Sequence, residues 1–162
     1  MQIRTLSREL WLPRRIDAIF DFFSDAGNLE ALTPPWLHFQ IITPQPVALQ
    51  LGSIIEYRIR WRQIPLYWRT EIAAWEPPNR FIDQQIQGPY RRWIHEHTFV
   101  EREGGTLLRD HVEYAVPGWI IEPAIERWIV RPDLARIFDY RREKMINIFG
   151  QPVPAPSSLS RR

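Results

Sequence analysis

The stretch GPYRRWIHEHTFVEREGGT, residues 88–106, sets two histidines two residues apart with a glutamate between them. Imidazole titrates near neutrality, so His95 and His97 could serve as general acid and base, chelate a metal or line a polar pocket. They could equally be unrelated surface residues. The direction in which they point decides between these chemistries.

Alternating residues flank Gly104-Gly105, and a glycine pair in that setting predicts a two-residue hairpin loop. Glu103 then faces Thr106, with Phe99 opposite Asp110, His97 opposite Val112, His95 opposite Tyr114 and Trp93 opposite Val116. Side chains alternate along a strand, so the eight residues from Phe99 to Val116 in these last four pairs share one face, which is apolar enough to be the inner one. Glu96, Thr98, Val100, Arg109, His111 and Glu113 occupy the other face and are expected to meet solvent. If GPY (88–90) is a three-residue loop, Asp83 faces His95, Phe81 faces His97 and Gln85 faces Trp93; a slip of one residue would expel Asp83 and Gln85. The same alternation places Tyr57, Ile59, Trp61, Trp68, Thr70 and Ile72 on the inner face of neighbouring strands.

Polar groups gathered on an inner face cost free energy unless they pair with each other, with water or with a ligand. The histidine pair therefore admits three readings: a hydrogen-bonded network anchored by Asp83, Asp110 or Tyr114, a network that orients a polar group of a ligand, and a metal site with Asp83 or Asp110 as third ligand. The i, i+2 spacing is common by chance and no further motif supports a metal, so neither metal nor cofactor is expected. Glu96 reads as a solvated charge. Arg141 falls on the apolar stripe of the last helix, where it either snorkels to solvent or pairs with an inward carboxylate. TPPW (33–36) reads as a helix stop or as a lid over a cavity mouth.

These residues need a frame. Residues 3–13 predict a first strand ending at Pro13. Ile16, Ile19, Phe20 and Phe23 recur at helical spacing, and a short helix, Asn28 to Leu32, is stopped by Pro34 and Pro35. Strands are predicted over 39–43, 53–61, 66–76, 80–87, 91–103 and 106–116, and a long amphipathic helix over 132–149. Pro123 and Pro132 allow a separate helical piece between them, broken from the last helix. Residues 1–150 are expected to form one domain, followed by a disordered Pro/Ser-rich tail at 151–162. A curled antiparallel sheet against one helix is an α+β layout that leaves room for a cavity.

The 162 residues are 44% hydrophobic and 25% charged, the balance of a globular protein. Eight Trp, eight Phe and five Tyr supply large buried area and pocket walls alike. Without cysteine there is no disulfide, thiolate metal site or cysteine nucleophile. Lys144 is the single lysine among 21 basic residues, the net charge is only +2, and arginines interleave with acids, so nucleic-acid binding is not expected. No apolar run reaches about 18 residues and no leader signal is visible, which predicts a cytoplasmic protein without a membrane span. A monomer or weak homodimer is expected.

The segments FFSDAGNLEALTPPWLHFQI, IPLYWRTEIAAWEPPNRFIDQQIQGPYRRWIHEHTF, GGTLLRDHVEYAVP and LARIFDYRREKM resemble a bacterial branch of the START / pollen-allergen / polyketide-cyclase superfamily, over roughly residues 3–149. The resemblance implies a helix-grip fold, with seven antiparallel strands wrapped on the C-terminal helix around a deep cavity. It also implies a small hydrophobic ligand of lipid, polyketide or aromatic character, since some members bind such molecules and others are cyclases or hydrolases. No catalytic motif is shared across the superfamily, so no residue role carries over. Candidate ligand-binding residues are Tyr57, Trp61, Trp68 and Thr70, then Phe81, Asp83 and Gln85. Trp93, His95, His97, Phe99 and Tyr114 on the hairpin and Phe138 on the last helix complete the set. The competing reading is a cyclase, dehydratase or hydrolase in which His95 or His97 is the acid/base, oriented by Asp83 or Asp110.

Overall fold

A computed structural model describes residues 2–150, apart from the Trp119 side chain; the predicted tail at 151–162 lies outside the described residues. Strand β1 (Arg4–Leu12) leads into α1 (Ile16–Phe23), which buries Ile16, Ile19, Phe20 and Phe23. That i, i+3, i+4, i+7 set gives a helix one apolar side. Helix α2 (Asn28–Leu32) ends as expected before Pro34, and a single 3-10 turn, Pro35–Leu37, follows. Six further strands run antiparallel: β2 (Gln40–Ile41), β3 (Ile54–Trp61), β4 (Ile64–Glu76), β5 (Arg80–Gln87), β6 (Arg92–Arg102) and β7 (Gly105–Ala115). β1 returns to pair with β7, so the sheet order is β1-β7-β6-β5-β4-β3-β2.

The β6–β7 hairpin turns one residue earlier than the glycine pair predicts. Arg102 pairs with Gly105, and the turn residues Glu103 and Gly104 have φ of 51° and 76°. Positive φ at both centres is the type I′ geometry that matches strand twist. Gly105 belongs to the strand instead, because β1 crosses it closely: a Cβ there would come within 2.7 Å of the Trp11 ring and closer still to the Leu12 carbonyl. The correction moves each partner by two residues. His97 faces Asp110 rather than Val112, His95 faces Val112 rather than Tyr114, Trp93 faces Tyr114 rather than Val116, and Phe99 faces Leu108 rather than Asp110. A two-residue shift preserves side-chain parity, so the inner face keeps its residues. On β5 the register is the predicted one, with Asp83 opposite His95 and Phe81 opposite His97.

The other face is drier than expected. Glu96 and His111 are half-buried, since Arg80 covers Glu96 and Ser7 Oγ lies 2.8 Å from His111 Nδ1. Trp93, expected to be largely buried, is half-buried as well.

Residues 118–131 also depart from expectation. After a 3-10 turn at Trp119–Ile121 come α3 (Glu122–Ile125), a π turn (Glu126–Val130) and α4 (Arg131–Phe149), which follow one another without a break. Proline inside a helix clashes with the carbonyl four residues back; the wider π turn ahead of Pro132 relieves that clash, so the chain stays helical. Glu126, only 1% exposed, holds the turn to the sheet. It accepts hydrogen bonds from Tyr114 Oη at 2.9 Å and from Arg131 at 2.8 and 2.9 Å, and Arg4 Nε lies 3.1 Å away.

Helix α4 packs its Leu134, Phe138, Met145 and Phe149 side across the concave face of the sheet. The core divides in two. One cluster gathers α1, the far end of α4 and the sheet around Phe20, Phe81 and Phe99; the other gathers Val112, Tyr114, Val130, Leu134 and Phe138.

Candidate functional site

Between sheet and α4 lies a cavity of about 410 Å³, within the range of small-molecule sites. Its floor is the inner face of β3 and β4, with Tyr57, Ile59, Trp61, Trp68, Thr70 and Ile72 all on the wall, as strand alternation predicts. Phe81, Asp83, Trp93, His95 and His97 continue it across β5 and β6, and Phe138 closes it from α4. Three candidates lie elsewhere. Phe99 is fully buried among Phe20, Phe23 and Phe81. Gln85 spends its side-chain amide on the backbone of Tyr90, donating to the Tyr90 carbonyl at 2.7 Å and so holding the 88–91 turn. Tyr114 donates to Glu126.

The polar heart of the site is a ring of four groups from three adjacent strands. His95 Nε2 lies 2.9 Å from Asp110 Oδ1, and His97 Nε2 lies 3.0 Å from Asp83 Oδ2. An ionised carboxylate only accepts, so both Nε2 atoms carry protons and donate. The second nitrogens differ. His97 Nδ1 is 2.8 Å from Asp110 Oδ1 but off the N–H direction, a coulombic contact without a directed hydrogen bond. His95 Nδ1 is 3.6 Å from Asp83 Oδ2, beyond hydrogen-bond reach. His97 is further clamped by Phe81, whose ring stacks on it at 4.2 Å, while His95 meets the edge of Phe138 at 5.6 Å.

This asymmetry separates the two imidazoles electrostatically. Burial disfavours charge on both. At His97 the close contact with Asp110, the hydrogen bond to Asp83 and the charges of both outweigh burial and raise the pKa above the ordinary value. At His95 burial, helped by the charge on His97, wins over its carboxylates and lowers the pKa. Both aspartates are held below the usual carboxylate range despite burial: by His95, His97 and Arg141 at Asp83, and by the His95 hydrogen bond, the close His97 contact and the charges of His97 and Arg141 at Asp110. The arrangement can do acid–base chemistry at one place: His95 is neutral, oriented by Asp110, and keeps a nitrogen free of a hydrogen bond at the cavity wall. Asp83, His95 and His97 also offer ligand atoms within 4.8 Å of one another, close enough to gather round a metal ion.

Several wall residues escaped the sequence reading. Tyr90 sits in the predicted GPY loop yet folds over the cavity against Trp68 and Trp93, at ring distances of 5.6 and 4.8 Å. No turn motif announces this, because the turn is shaped by the side-chain amide of Gln85 from the preceding strand. Asp133 lines the far wall and accepts a 2.8 Å hydrogen bond from Trp61 Nε1 and another from Arg62, which ties the β3–β4 turn to the start of α4. Thr33 and Leu37 from the TPPW region reach the cavity, while Trp36 stays 44% exposed against Tyr140 and Arg136. Arg141 takes the inward option and lines the cavity.

Comparison with known proteins agrees with this architecture. No curated protein matches the chain. Among solved structures, protein CV1439 from Chromobacterium violaceum aligns over 92% of this chain and 99% of its own, with a TM-score of 0.69 at 11% identity. The major latex-like protein 151 of Panax ginseng aligns over 91% and 97%, with a TM-score of 0.66 at 9% identity. Protein Ms6760 from Mycobacterium smegmatis aligns over 91% and 96%, with a TM-score of 0.63 at 16% identity. At such identities these likenesses bear on fold, and the fold is the helix-grip architecture. No helix among the described residues is long and apolar enough to cross a membrane. Residues 12–136 match the family described as polyketide cyclase / dehydrase and lipid transport, and the chain belongs to that family.

Proposed function

We propose that this protein binds a small, largely hydrophobic molecule in the cavity between sheet and α4, with a polar group of the ligand turned toward His95. The observation that carries the reading is the cavity itself: about 410 Å³, walled by aromatic and aliphatic side chains, with its polar groups set among them. Apolar walls supply affinity and a few placed polar groups supply orientation. Membership of a family described by cyclase, dehydrase and lipid-transport activities supports the same reading. Native mass spectrometry on protein purified without detergent tests it. A bound mass released on denaturation is expected; protein that carries no mass and takes up none from a panel of fatty acids, alcohols and aromatic acids would sink it.

The hydrogen bond from His95 to Asp110 favours a second reading, in which the bound molecule is also transformed. His95 Nδ1 would then remove a proton from the ligand, as in a cyclisation or dehydration, with Asp110 fixing the tautomer. His97 is not the candidate, because carboxylate oxygens stand 3.0 and 2.8 Å from its two nitrogens, whereas His95 Nδ1 is 3.6 Å from Asp83. His95→Gln separates the readings: an enzyme loses turnover and keeps binding, whereas a binding protein shows no turnover to lose.

A further inference from the structure

Arg141 stands three residues after Phe138 and seven after Leu134, on the side of α4 that faces the sheet. A guanidinium is always charged, so wherever it is buried it needs a partner. Arg141 is half-buried and has no hydrogen-bonding or ion-pair partner among the described residues. Its Nε is closed to solvent and unbonded, and Arg141 makes no salt bridge there. Asp83 and Asp110 act on it only through their charges, without a salt bridge, and the face of Phe23 lies 5.6 Å from Cζ. The two carboxylates on the cavity wall are engaged elsewhere: Asp83 with His97, and Asp133 with Trp61 and Arg62. Trp68, 6% exposed and on the same wall, likewise holds its Nε1–H without an acceptor. The wall thus offers donors that its own acceptors do not satisfy.

We propose that Arg141 anchors an anionic head group, and that the occupant of the cavity is an amphipathic organic acid. Its carboxylate pairs with the guanidinium, its carbon skeleton lies along the apolar wall, and Trp68 donates to a further oxygen where the acid has one. A monoanion fits better than a phosphate, because Arg141 is the one Lys or Arg side chain on the cavity wall among the described residues. Asp83, on that wall, would repel a second negative charge. The proposal rests on the cavity-binding reading above and narrows its ligand class.

Isothermal titration with decanoate and decan-1-ol, which share a chain and differ in head group, provides the test. The wild type is expected to bind decanoate at least tenfold more tightly than decanol at pH 8. In Arg141→Gln that preference should vanish while decanol affinity stays within about twofold, the difference expected when one charge-assisted pair is removed from an otherwise intact pocket. Arg141→Lys keeps the charge without the planar fork and should retain a reduced preference; it also decides the matter if the glutamine variant does not fold. Equal affinities in the wild type, or a preference that survives Arg141→Gln, would overturn the anchor while leaving the cavity reading intact. An Arg141 that merely balanced Asp83 and Asp110 would lower the melting temperature on substitution without moving the acid-to-alcohol ratio, which also overturns it. Failure of both ligands to bind would overturn the cavity reading together with the anchor.

Discussion

His95 and His97 lie ring to ring at 3.8 Å, yet their surroundings push their pKa values in opposite directions. His97 has a folded pKa above its unfolded value of about 6.5, so its stabilising contribution is complete below that pH and is lost as pH rises through the folded pKa. His95 is the reverse: its contribution is present above about 6.5 and is lost as pH falls through its depressed pKa. Asp83 and Asp110 contribute above about 3.9 and lose their contribution as pH falls through their lowered values. In an NMR titration of the ring protons, His97 should therefore show a midpoint above that of a free histidine and His95 one below. Asp110→Asn removes the negative charge that both rings face and should cost about 3 kcal/mol in urea unfolding at pH 7, as breaking a buried pair does. It should also lower the His97 midpoint; a loss under about 0.5 kcal/mol would mean that Asp110 is solvated. Elemental analysis of protein prepared without chelators should find substoichiometric zinc, iron, nickel and copper, because both Nε2 atoms already donate to carboxylates. One equivalent, lost on His95→Ala, would make the cluster a metal centre. The inward direction of these side chains was legible from alternation alone. Which carboxylate meets which nitrogen was not, since it depends on a register that shifts with one turn residue.

At the scale of elements, glycine carried two meanings that sequence does not separate. Gly104 is needed for its positive φ, whereas Gly105 is needed for the close passage of Trp11 and Leu12. Reading both as turn residues displaced the loop by one position, and only the conservation of parity under a two-residue partner shift kept the inner face correct. Glu103 now sits at φ 51°, a conformation that asparagine tolerates better than glutamate. Glu103→Asn should raise the unfolding free energy by up to about 1 kcal/mol. Gly105→Ala should lower it by about 1–3 kcal/mol through overpacking. If the two variants gave the opposite order in thermal melts, the turn would sit on the glycine pair after all. The β3–β4 turn was expected but is two residues shorter than expected, because Ile64 and Pro65 belong to β4 and the turn closes on Arg62 and Gln63, both at positive φ without a glycine to signal it. The π turn was hidden, because Pro132 in a sequence announces a break rather than a widened turn.

At the scale of the whole molecule, the long helix and the curled sheet were readable because each carries its period over many residues. The cavity was readable only as a consequence of that geometry. Its volume depends on how far α4 stands off the sheet, and that distance is set by remote ties. Glu126 fastens the π turn to Tyr114 and Arg4, and Asp133 fastens the start of α4 to the β3–β4 turn. A cavity walled by apolar side chains forgoes packing that a solid core would have, so stability is lower there than in a filled core. Filling it should reverse that deficit. Ile137 faces the cavity from α4 and is only half-buried, so a larger side chain there can enter the space without straining the sheet. Ile137→Trp should leave stability unchanged or raise it by up to about 1 kcal/mol, from added apolar contact, while weakening decanoate binding at least tenfold. Calorimetric titration and thermal melts on the same preparation measure both sides. A variant that lost stability while binding decanoate as the wild type does would show that the acid does not occupy the space beneath α4.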